Sequence, residues 1–571
     1  MTADLILHNA RALTMDPVRP RAQSVAIGAD RILACGDDAV VLALAGPQTR
    51  LIDCRGATLL PGFVESHLHL FSGAYGQTLL QLAGVRGIDA LGQAVAAFAA
   101  ANPEAALLFG QGADYTLLGE GHRLDRHALD RVCRDRPLAL MAYDFHTLFA
   151  NTAALRAAGL LHGRSLPPGN QVVMGPDGLA TGELREKLAL MPVLELRDIG
   201  GREMLGMSGL EPPVPPSVAE RAEDLRVLRL GLAHAARHGI TSMHNMDGNR
   251  YLLELLDCLR QDGTLSARVK VPFHLTPEMP LSNLDRASAM ARDFDGPMLT
   301  SGLVKMFLDG VIESGTAALL DDYTNRPGHR GETLFTPDHF RTAVIEADRR
   351  GLQIAVHAIG DAAVRLALDS YAAAAVVNGP RDRRHRIEHA EVVHPDDLHR
   401  FAALGVIASM QPPHAPTGCN GTTDGIGPAR APHAYAWRDL VDAGAEYAFS
   451  SDWPIAPLSP LSGIQAAMTR QGWLPDLPDQ RLTLHEVLEA YTWRGAHAGF
   501  HEGLTGRLIT GLKADLTLLD GDIEAVEPES IGAMQVVLTI CDGNITHARR
   551  IPRSAATRCA HPSRLPTPHE P

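Results

Sequence analysis

Short apolar segments alternate with alanine- and leucine-rich stretches through the middle of the chain. We predict eight strands, at Phe63–His67, Ile240–His244, Val269–His274, Leu303–Leu308, Gln353–His357, Arg386–His389, Val406–Gln411 and Glu446–Ser450. A strand followed by a helical stretch, repeated in this way, is typical of a parallel sheet. Eight such units predict an α/β fold of the TIM (β/α)8 barrel type, which needs about 250 residues.

The first two predicted strands lie too far apart for one βα unit. Roughly 170 residues separate them, whereas one unit normally takes about 30. We therefore expect a large insertion after the first strand, from about residue 72 to 225. Apolar runs at Leu107–Phe109 and Leu138–Met141 predict that it has strands of its own.

Both ends of the chain have the pattern of short strands. Near the start these are Leu5–Leu7, Ser24–Ile27 and Arg31–Ala34, and near the end Ala514–Leu519 and Met534–Ile540. We predict a small β-sandwich built from residues 1–57 and 501–550, with the barrel in 58–500. Residues 551–571 contain prolines and little hydrophobic pattern, so we expect a disordered tail.

Composition indicates an ordinary globular protein, with 45% hydrophobic, 21% charged and 5% aromatic residues. The net charge of −14 and the lack of a long basic tract argue against nucleic acid as a partner. We see no run of about 18 uncharged apolar residues and no secretory signal, so we expect no membrane partner. The seven scattered cysteines contain no C-x-x-C pair, which favours a reducing, cytoplasmic location. We expect a small-molecule substrate, and a homodimer would be unsurprising.

Chemically reactive side chains stand at the ends of the predicted strands. His67 and His69 close the first strand, and alternate positions in extended backbone point the same way. Catalytic groups of a TIM barrel lie at the carboxyl ends of its strands. The other candidates at such positions are Lys305 on the fourth strand, His357 on the fifth, His389 on the sixth and Asp452 just past the eighth.

Each of these residues alone has an ordinary explanation. An H-x-H pair arises by chance, and a single buried histidine is more often a satisfied core residue than a ligand. Lys305 could extend its amine to solvent or pair with Asp309, and Asp452 could be a turn residue before Trp453-Pro454. The occurrence of all six at strand ends, in order, favours one shared metal site.

The chain resembles the amidohydrolase superfamily, and within it the amidohydrolase-3 or YtcJ-like group that includes N-substituted formamide deformylase. The segments that carry the resemblance are Leu60–His69, Val304–Gly310, Val356–Asp361, Arg384–Ala390, Ser409–Pro412 and Ser450–Pro454, with Asp144–His146, Asn151–Leu155 and Thr181–Glu186 in the expected insertion. One departure is Glu65-Ser66, where many relatives have an aspartate before the first histidine.

This resemblance implies a ligand set for two divalent ions. His67 and His69 would bind one metal, and His357 and His389 the other. Lys305, carrying a CO2-derived carbamate, would bridge them, and Asp452 would complete the set. An unmodified ammonium beside two cations would be repelled, so either Lys305 is carboxylated or the site holds one ion. Imidazole and carboxylate ligands suit Zn²⁺, with Mn²⁺, Fe²⁺ or Co²⁺ allowed.

The resemblance further implies hydrolysis of a linear, non-peptide C–N bond in an amide, formamide or N-acyl amine. A metal-activated hydroxide would attack, and Asp452 would act as general base and then general acid. One alternative is a single-metal deaminase, but such relatives typically have a glutamate three residues after the strand-five histidine, where this chain has Gly360. Another is a catalytically silent ligand-binding relative, which would have lost ligands.

Other residues near the strand ends are weaker candidates. Substrate could contact His146, Tyr115, Gln411 or Trp453, and each of these has an ordinary structural explanation as well. We expect His244 and His274, at the ends of the second and third strands, to form supporting hydrogen bonds or packing.

Overall fold

The computed structural model describes residues 2–119, 121–142, 147–166 and 170–549. Its strands are β1 (Ala3–His8), β2 (Arg11–Leu13), β3 (Arg21–Ala22), β4 (Ser24–Gly28), β5 (Arg31–Gly36), β6 (Ala45–Asp53), β7 (Thr58–Pro61), β8 (Phe63–Leu68), β9 (Leu80–Gln81), β10 (Leu108–Ala113), β11 (Leu138–Ala142), β12 (Thr147–Ala150), β13 (Gln171–Met174), β14 (Ala180–Arg185), β15 (Ile240–Asn245), β16 (Arg268–Lys270), β17 (Phe273–His274), β18 (Leu299–Thr300), β19 (Leu303–Phe307), β20 (Gln353–Ala358), β21 (Arg386–His389), β22 (Ile407–Met410), β23 (Glu446–Phe449), β24 (Leu516–Leu519), β25 (Val536–Cys541) and β26 (Asn544–Ala548).

The α-helices are α1 (Asp38–Leu42), α2 (Leu70–Gly76), α3 (Ile88–Ala101), α4 (Arg126–Val132), α5 (Thr152–Ala157), α6 (Lys187–Leu194), α7 (Val218–Arg237), α8 (Arg250–Gln261), α9 (Leu284–Asp293), α10 (Pro337–Arg349), α11 (Asp361–Asn378), α12 (Pro395–Leu404), α13 (Gly421–Arg430), α14 (Trp437–Asp442), α15 (Pro460–Thr469), α16 (Leu484–Ala490) and α17 (Trp493–Ala498). Short 3₁₀ helices cover Arg202–Ser208, Leu281–Asn283, Pro412–His414, Ala431–His433, Ile523–Ala525 and Pro528–Ala533.

Two parallel sheets hold the strands that the sequence predicts for the centre of the chain. One has the order β18–β16–β15–β8, and the other has the order β17–β19–β20–β21–β22–β23. Apart from the third strand, the observed bounds differ from the predicted ones by at most one residue. Since all carboxyl ends within a parallel sheet lie at one edge, Lys305, His357, His389 and Asp452 share that edge of the second sheet, and His67 and His69 lie at that edge of the first.

The third predicted strand, Val269–His274, is not continuous. The structure divides it into β16 and β17, with Pro272 between them. Proline has no N–H to donate to a neighbouring strand, which explains the break. β16 pairs with β18 and β17 pairs with β19, so this segment passes from one sheet to the other.

Backbone bonds join the first and eighth of these strands beyond their carboxyl ends. Leu68 forms a parallel bridge with Trp453. The His69 N–H donates to the Trp453 carbonyl at 2.8 Å, and the Asp452 N–H donates to the His67 carbonyl at 3.0 Å. The H-x-H segment and the Asp452 segment are therefore fixed side by side.

A further sheet lies in the part of the sequence where we expect an insertion. Its order is β13–β14–β12–β11–β10–β9. Predicted strand Leu107–Phe109 corresponds to β10, which begins at Leu108 and continues to Ala113. The sheet packs between apolar clusters of its own, represented by Leu155 and Leu129.

Strands from the two ends of the sequence lie together in the sheet β26–β25–β24–β7–β2–β3, whereas the sheet β5–β4–β1–β6 contains only strands from the start of the chain. Leu7 and Leu516 pack in one apolar cluster. A fully buried ion pair of 2.8 Å between Arg268 of β16 and Asp515 connects these strands to the parallel sheets. Residues 551–571, for which the sequence predicts a tail, lie outside the described residues.

The largest apolar cluster contains residues of the parallel sheets and of the helices that follow their strands. Phe63, Phe340, Phe401 and Phe449 are fully buried within it. Across the described ranges, none of the helices combines the length and the apolar composition that crossing a bilayer requires.

Candidate metal centre

His67, His69 and Asp452 meet where β8 ends. The Asp452 Oδ1 atom lies 3.3 Å from His67 Nε2 and 3.1 Å from His69 Nε2. The His67 side chain is 1% exposed, and those of His69 and Asp452 are each 8% exposed. One carboxylate oxygen therefore faces two imidazole nitrogens in a nearly dry space.

His389 reaches the same centre because the backbone turns at its position. It follows Glu388 directly, and neighbouring side chains of a regular strand point to opposite faces. Its φ angle of 75° departs from the extended range, which lets both side chains face the centre. The His389 ring centroid lies 5.0 Å from that of His67 and 4.5 Å from that of His357. Potential ligand atoms of His67, His389 and Asp452 lie within 4.8 Å of one another.

Glu65 fixes the loop that presents Asp452. Its Oε1 atom accepts hydrogen bonds from the Ser451 N–H at 2.5 Å and the Ser451 hydroxyl at 3.0 Å. Burial raises the pKa of Glu65 to about 8. Although burial opposes it, the proximity of His67 and His69 holds the pKa of Asp452 well below its usual range. Glu65, the departure noted in the sequence, thus supports the site without facing its centre.

Each of the four histidines uses one ring nitrogen to contact a hydrogen-bond acceptor. An imidazole that donates from one nitrogen in its neutral form has a lone pair on the other, which is how histidine binds metals. The pairs are His67 Nδ1 with Glu388 at 2.7 Å, His69 Nδ1 with Asp247 at 2.6 Å, His389 Nδ1 with Gln411 at 2.8 Å and His357 Nε2 with the Gly310 carbonyl at 3.1 Å.

Arg386 keeps the Glu388 carboxylate charged. Its Nε atom lies 2.8 Å from Glu388 Oε1, and its Nη2 donates to Oε2 at 3.0 Å. Burial opposes ionisation, but Arg386 and His67 hold the pKa of Glu388 well below its usual range. An Arg–Glu–His chain of this kind fixes the orientation of the His67 ring.

Lys305 is the one cationic side chain among the six candidates. It is completely buried, and Nζ has no hydrogen-bond partner among the described residues. Nζ lies 4.7 Å from the centroid of the Phe307 ring. Burial lowers the pKa of Lys305 to about 8, although Glu388 and Asp452 oppose this. Burying an unpaired ammonium is costly, so this atom fits a position that is modified or bound to another group.

Asp309 does not form the ion pair with Lys305 that would explain a buried lysine without a metal. Its carboxylate instead accepts hydrogen bonds from the backbone N–H groups of Ala318, Ile359 and Gly360 at 2.9–3.0 Å. This removes the alternative in which Lys305 forms a simple buried ion pair. The donor set of four lone pairs, one carboxylate and one orphaned amine is chemically suited to divalent transition-metal ions.

Three of the four residues predicted to contact substrate are described, and they differ in burial and in their hydrogen-bond partners. Gln411 contacts His389 and donates to the Ser450 hydroxyl at 2.9 Å, so both ends of its amide have partners inside the protein. Tyr115 is 40% exposed and donates to Thr147 at 2.8 Å. Trp453 is buried, and His146 lies outside the described residues.

The two histidines expected to act as supports do contact the site indirectly. His244 Nδ1 lies 2.9 Å from Arg386 Nη1, next to the chain that orients His67. The His274 ring stacks on Phe307 with centroids 5.3 Å apart, and Phe307 in turn lies 4.9 Å from the His357 ring.

Sequence reasoning missed Glu388 and Asp247. A signal existed for Glu388, because it shares a strand face with Arg386 directly before a candidate ligand. Asp247 follows the end of β15 by two residues, and nothing in the sequence distinguishes it from a loop aspartate.

A sequence model described as the amidohydrolase family matches residues 50–547. The chain belongs to the amidohydrolase family. This confirms the predicted membership and the prediction of a hydrolase that acts on C–N bonds.

Several related proteins are similar to this amidohydrolase over most of its length. It is 30% identical to the protein LONG AFTER FAR-RED 3 of Arabidopsis thaliana, over 91% of this chain and 87% of that protein. It is 28% identical to the protein YtcJ of Bacillus subtilis, over 88% and 91%. It is 25% identical to the N-substituted formamide deformylase of Arthrobacter pascens, over 96% and 98%.

A solved structure has the same fold. An uncharacterized metal-dependent hydrolase from Pyrococcus horikoshii is 25% identical to this amidohydrolase, with a TM-score of 0.71 over 92% of this chain and 98% of that one. This likeness and the family membership imply an α/β fold of the TIM-barrel type, which is the predicted class.

We expect Glu388→Gln to weaken zinc binding by about 10–100-fold, the usual effect of losing a group that orients a ligand histidine. Glutamine keeps the shape but loses the charge that fixes the His67 proton on Nδ1. Competition between the metal-stripped protein and a chelator measures the affinity. Glu254→Gln, at a half-exposed helix position, is the matched control. Unchanged zinc affinity in Glu388→Gln would rule out this role.

Proposed function

We propose that this amidohydrolase hydrolyses linear, non-peptide C–N bonds of amides, formamides or N-acyl amines, with divalent metal bound by His67, His69, Lys305, His357, His389 and Asp452. The observation that carries the proposal is the contact of Asp452 Oδ1 with both Nε2 atoms of the H-x-H pair. A carboxylate in this position is both a ligand and a proton acceptor beside the reacting atoms.

The six residues would hold metal, and one of them, Asp452, would also transfer protons. When bound, divalent ions would lower the pKa of a coordinated water and polarise the scissile carbonyl. Asp452 takes a proton from the attacking water and returns it to the departing nitrogen, as general base and then general acid. The buried surroundings exclude bulk water, which strengthens the electrostatic interactions of this carboxylate.

The comparisons support a divalent metal and a formamide or related amide as the substrate class. The Pyrococcus horikoshii protein is an uncharacterized metal-dependent hydrolase, and the Arthrobacter pascens protein is an N-substituted formamide deformylase. We further propose that the eight parallel strands close into a barrel spanning 58–500, that residues from about 72 to 225 are an insertion, and that 1–57 and 501–550 form a β-sandwich. Zinc and a cytoplasmic location are part of the same proposal.

A substrate screen tests the proposed function. Zinc- and manganese-loaded protein is incubated with N-formyl and N-acyl amines, and amine release is followed by a fluorogenic reagent. We expect turnover of at least one class that disappears when metal is removed and returns when it is restored. Ammonia release from aminated heterocycles without any amide hydrolysis would favour a deaminase and contradict the proposal.

We propose that Lys305 carries a carbamate. The ammonium group would first lose one proton, and the neutral Nζ would then attack CO2, forming an N–C bond and releasing a second proton to solvent. The loss of two protons and the gain of CO2 together convert a buried cation into an anion. The reaction requires the neutral amine, and the pKa of Lys305 is about 8. The neutral fraction therefore rises with pH, from about one-tenth at pH 7 to about nine-tenths at pH 9.

Reactivation of the metal-stripped, CO2-depleted protein should follow this fraction. At a fixed dissolved CO2 concentration with zinc present, we expect the initial rate of zinc uptake to increase about 10-fold from pH 7 to pH 9. Chelator-coupled absorbance measures the uptake. A rate independent of CO2 would exclude the carbamate.

A further inference from the structure

His414 lies against the metal centre, and no part of the proposed mechanism uses it. It is the last residue of the 3₁₀ helix Pro412–His414, which follows β22. Its ring stacks on that of His389, with centroids 6.2 Å apart and planes inclined by 12°. Gln411 in the same segment accepts the hydrogen bond from His389 Nδ1. One short segment thus contacts both the edge and the face of a candidate ligand.

This segment restricts the backbone conformation at His414. Pro412 and Pro413 have restricted φ angles, and the His414 N–H donates to the Gln411 carbonyl at 3.0 Å. The backbone position of His414 is therefore coupled to that of Gln411, which is itself held between His389 and Ser450.

A buried carboxylate faces one nitrogen of the ring. Glu391 Oε1 lies 3.8 Å from His414 Nδ1, and the two side chains are 8% and 14% exposed. The other oxygen of Glu391 accepts a hydrogen bond from the Tyr435 hydroxyl at 3.0 Å. Tyr435 also donates its backbone N–H to the Glu391 carbonyl at 2.6 Å. Glu391 is thereby fixed at two points and holds the Nδ1 edge of His414.

The opposite nitrogen is available. His414 Nε2 is buried and forms no well-aligned hydrogen bond within the described ranges, although the Ser451 carbonyl lies close to the ring. Burial opposes it, but Glu391, Asp452 and the Ser451 carbonyl together raise the pKa of His414, so the ring lies on the side of the candidate centre where Asp452 stands. A buried polar atom is normally hydrogen-bonded, and an atom without a well-aligned hydrogen bond beside a reaction centre fits a group supplied by the substrate.

We propose that His414 is a catalytic residue whose Nε2 hydrogen-bonds the reacting amide group of the substrate, and that Glu391 and Tyr435 position its ring. This inference rests on the proposed function for the identity of the amide. It explains why a ring that stacks on His389 has a buried nitrogen that forms no well-aligned hydrogen bond with the described residues. A residue that only packed against His389 would need neither that nitrogen nor the Glu391–Tyr435 pair.

Two readouts test the proposal on the zinc-loaded full-length protein. The first is the affinity for acetohydroxamate, an amide-like, metal-binding probe, measured by calorimetry. The second is kcat/KM for an N-formyl or N-acyl amine found in the screen. We expect His414→Phe, which keeps a ring but removes both nitrogens, to weaken acetohydroxamate binding about 10-fold and to lower kcat/KM by about 10–100-fold. Zinc content should stay unchanged.

Further variants separate the hydrogen bond from packing. His414→Gln retains a hydrogen-bonding end and should recover part of the loss seen with His414→Phe. Glu391→Gln and Tyr435→Phe should cause smaller losses in kcat/KM, because they affect only the orientation of the ring. His399→Phe, at an exposed position of α12, is the matched control and should behave as wild type.

Each outcome decides the inference. Wild-type acetohydroxamate affinity and kcat/KM in His414→Phe would overturn it. A parallel loss of zinc would also overturn it, since the ring would then act by supporting His389. If the wild-type protein hydrolyses no amide, the proposed function fails, but the acetohydroxamate comparison still tests whether His414 contacts an amide-like ligand at the centre.

Discussion

Asp452→Asn should lower kcat by about 10²–10⁴-fold at saturating metal, which is the usual contribution of general acid–base transfer. Asparagine has nearly the same shape, so it can occupy the buried space between His67 and His69. Its amide cannot accept the proton of the attacking water and return it to the leaving nitrogen. Steady-state kinetics with the amide from the screen, together with metal analysis and thermal unfolding, measures the effect.

The matched control for this variant is Asp338→Asn, which removes a carboxylate at an almost fully exposed position of α10. It should retain wild-type turnover. A near-normal kcat in Asp452→Asn with metal bound would remove Asp452 from the proton-transfer step. If the loss of turnover disappeared fully on adding excess metal, Asp452 would be a ligand only.

Lys305→Ala should lose bound metal and with it all measurable turnover. A directly bridging ligand should matter more than a group that merely orients a ligand, so we expect affinity to fall by more than about 100-fold. The space left by the long side chain can admit acetate or propionate, whose carboxylate can replace the carbamate. We therefore expect these anions to restore part of the metal content and activity.

Lys270→Ala is the matched control, because Lys270 is also a buried lysine of the parallel sheets. Its Nζ donates to Gln353 at 2.9 Å and to the Gly499 carbonyl at 3.2 Å. This variant should be less stable but should keep metal and show no response to acetate. Full activity of Lys305→Ala without added carboxylate would exclude the bridging role.

The sequence predicts the sheets well because each parallel strand is a short apolar run between helical stretches. The only break, between β16 and β17, occurs at Pro272, whose effect on a strand could have been anticipated. The positions of His67, His69 and Asp452 at strand ends could also be predicted from the sequence, since the carboxyl ends of parallel strands lie at one edge of their sheet.

The residues that orient these candidate ligands could not be predicted from the sequence. His67 bonds to Glu388, 321 residues further along, and His69 bonds to Asp247, 178 residues away. Such pairs depend on how side chains meet across the sheets, which periodicity does not encode. The direction of His389 depends on a positive φ at a non-glycine residue, a conformation that side-chain pattern does not predict. The sequence suggests Gln411 as a substrate contact, whereas the structure shows it in contact with His389.

The most direct test of the central claim is an anomalous-scattering map of zinc-loaded crystals, recorded at the zinc edge. The account predicts anomalous peaks at the carboxyl edge of the parallel strands, about 2.0–2.1 Å from the free ring nitrogens of His67, His69, His357 and His389. The ordinary electron-density map of the same crystals should show density continuing from Lys305 Nζ. Zinc bound only elsewhere, or no peak among these four histidines in fully zinc-loaded protein, would contradict it.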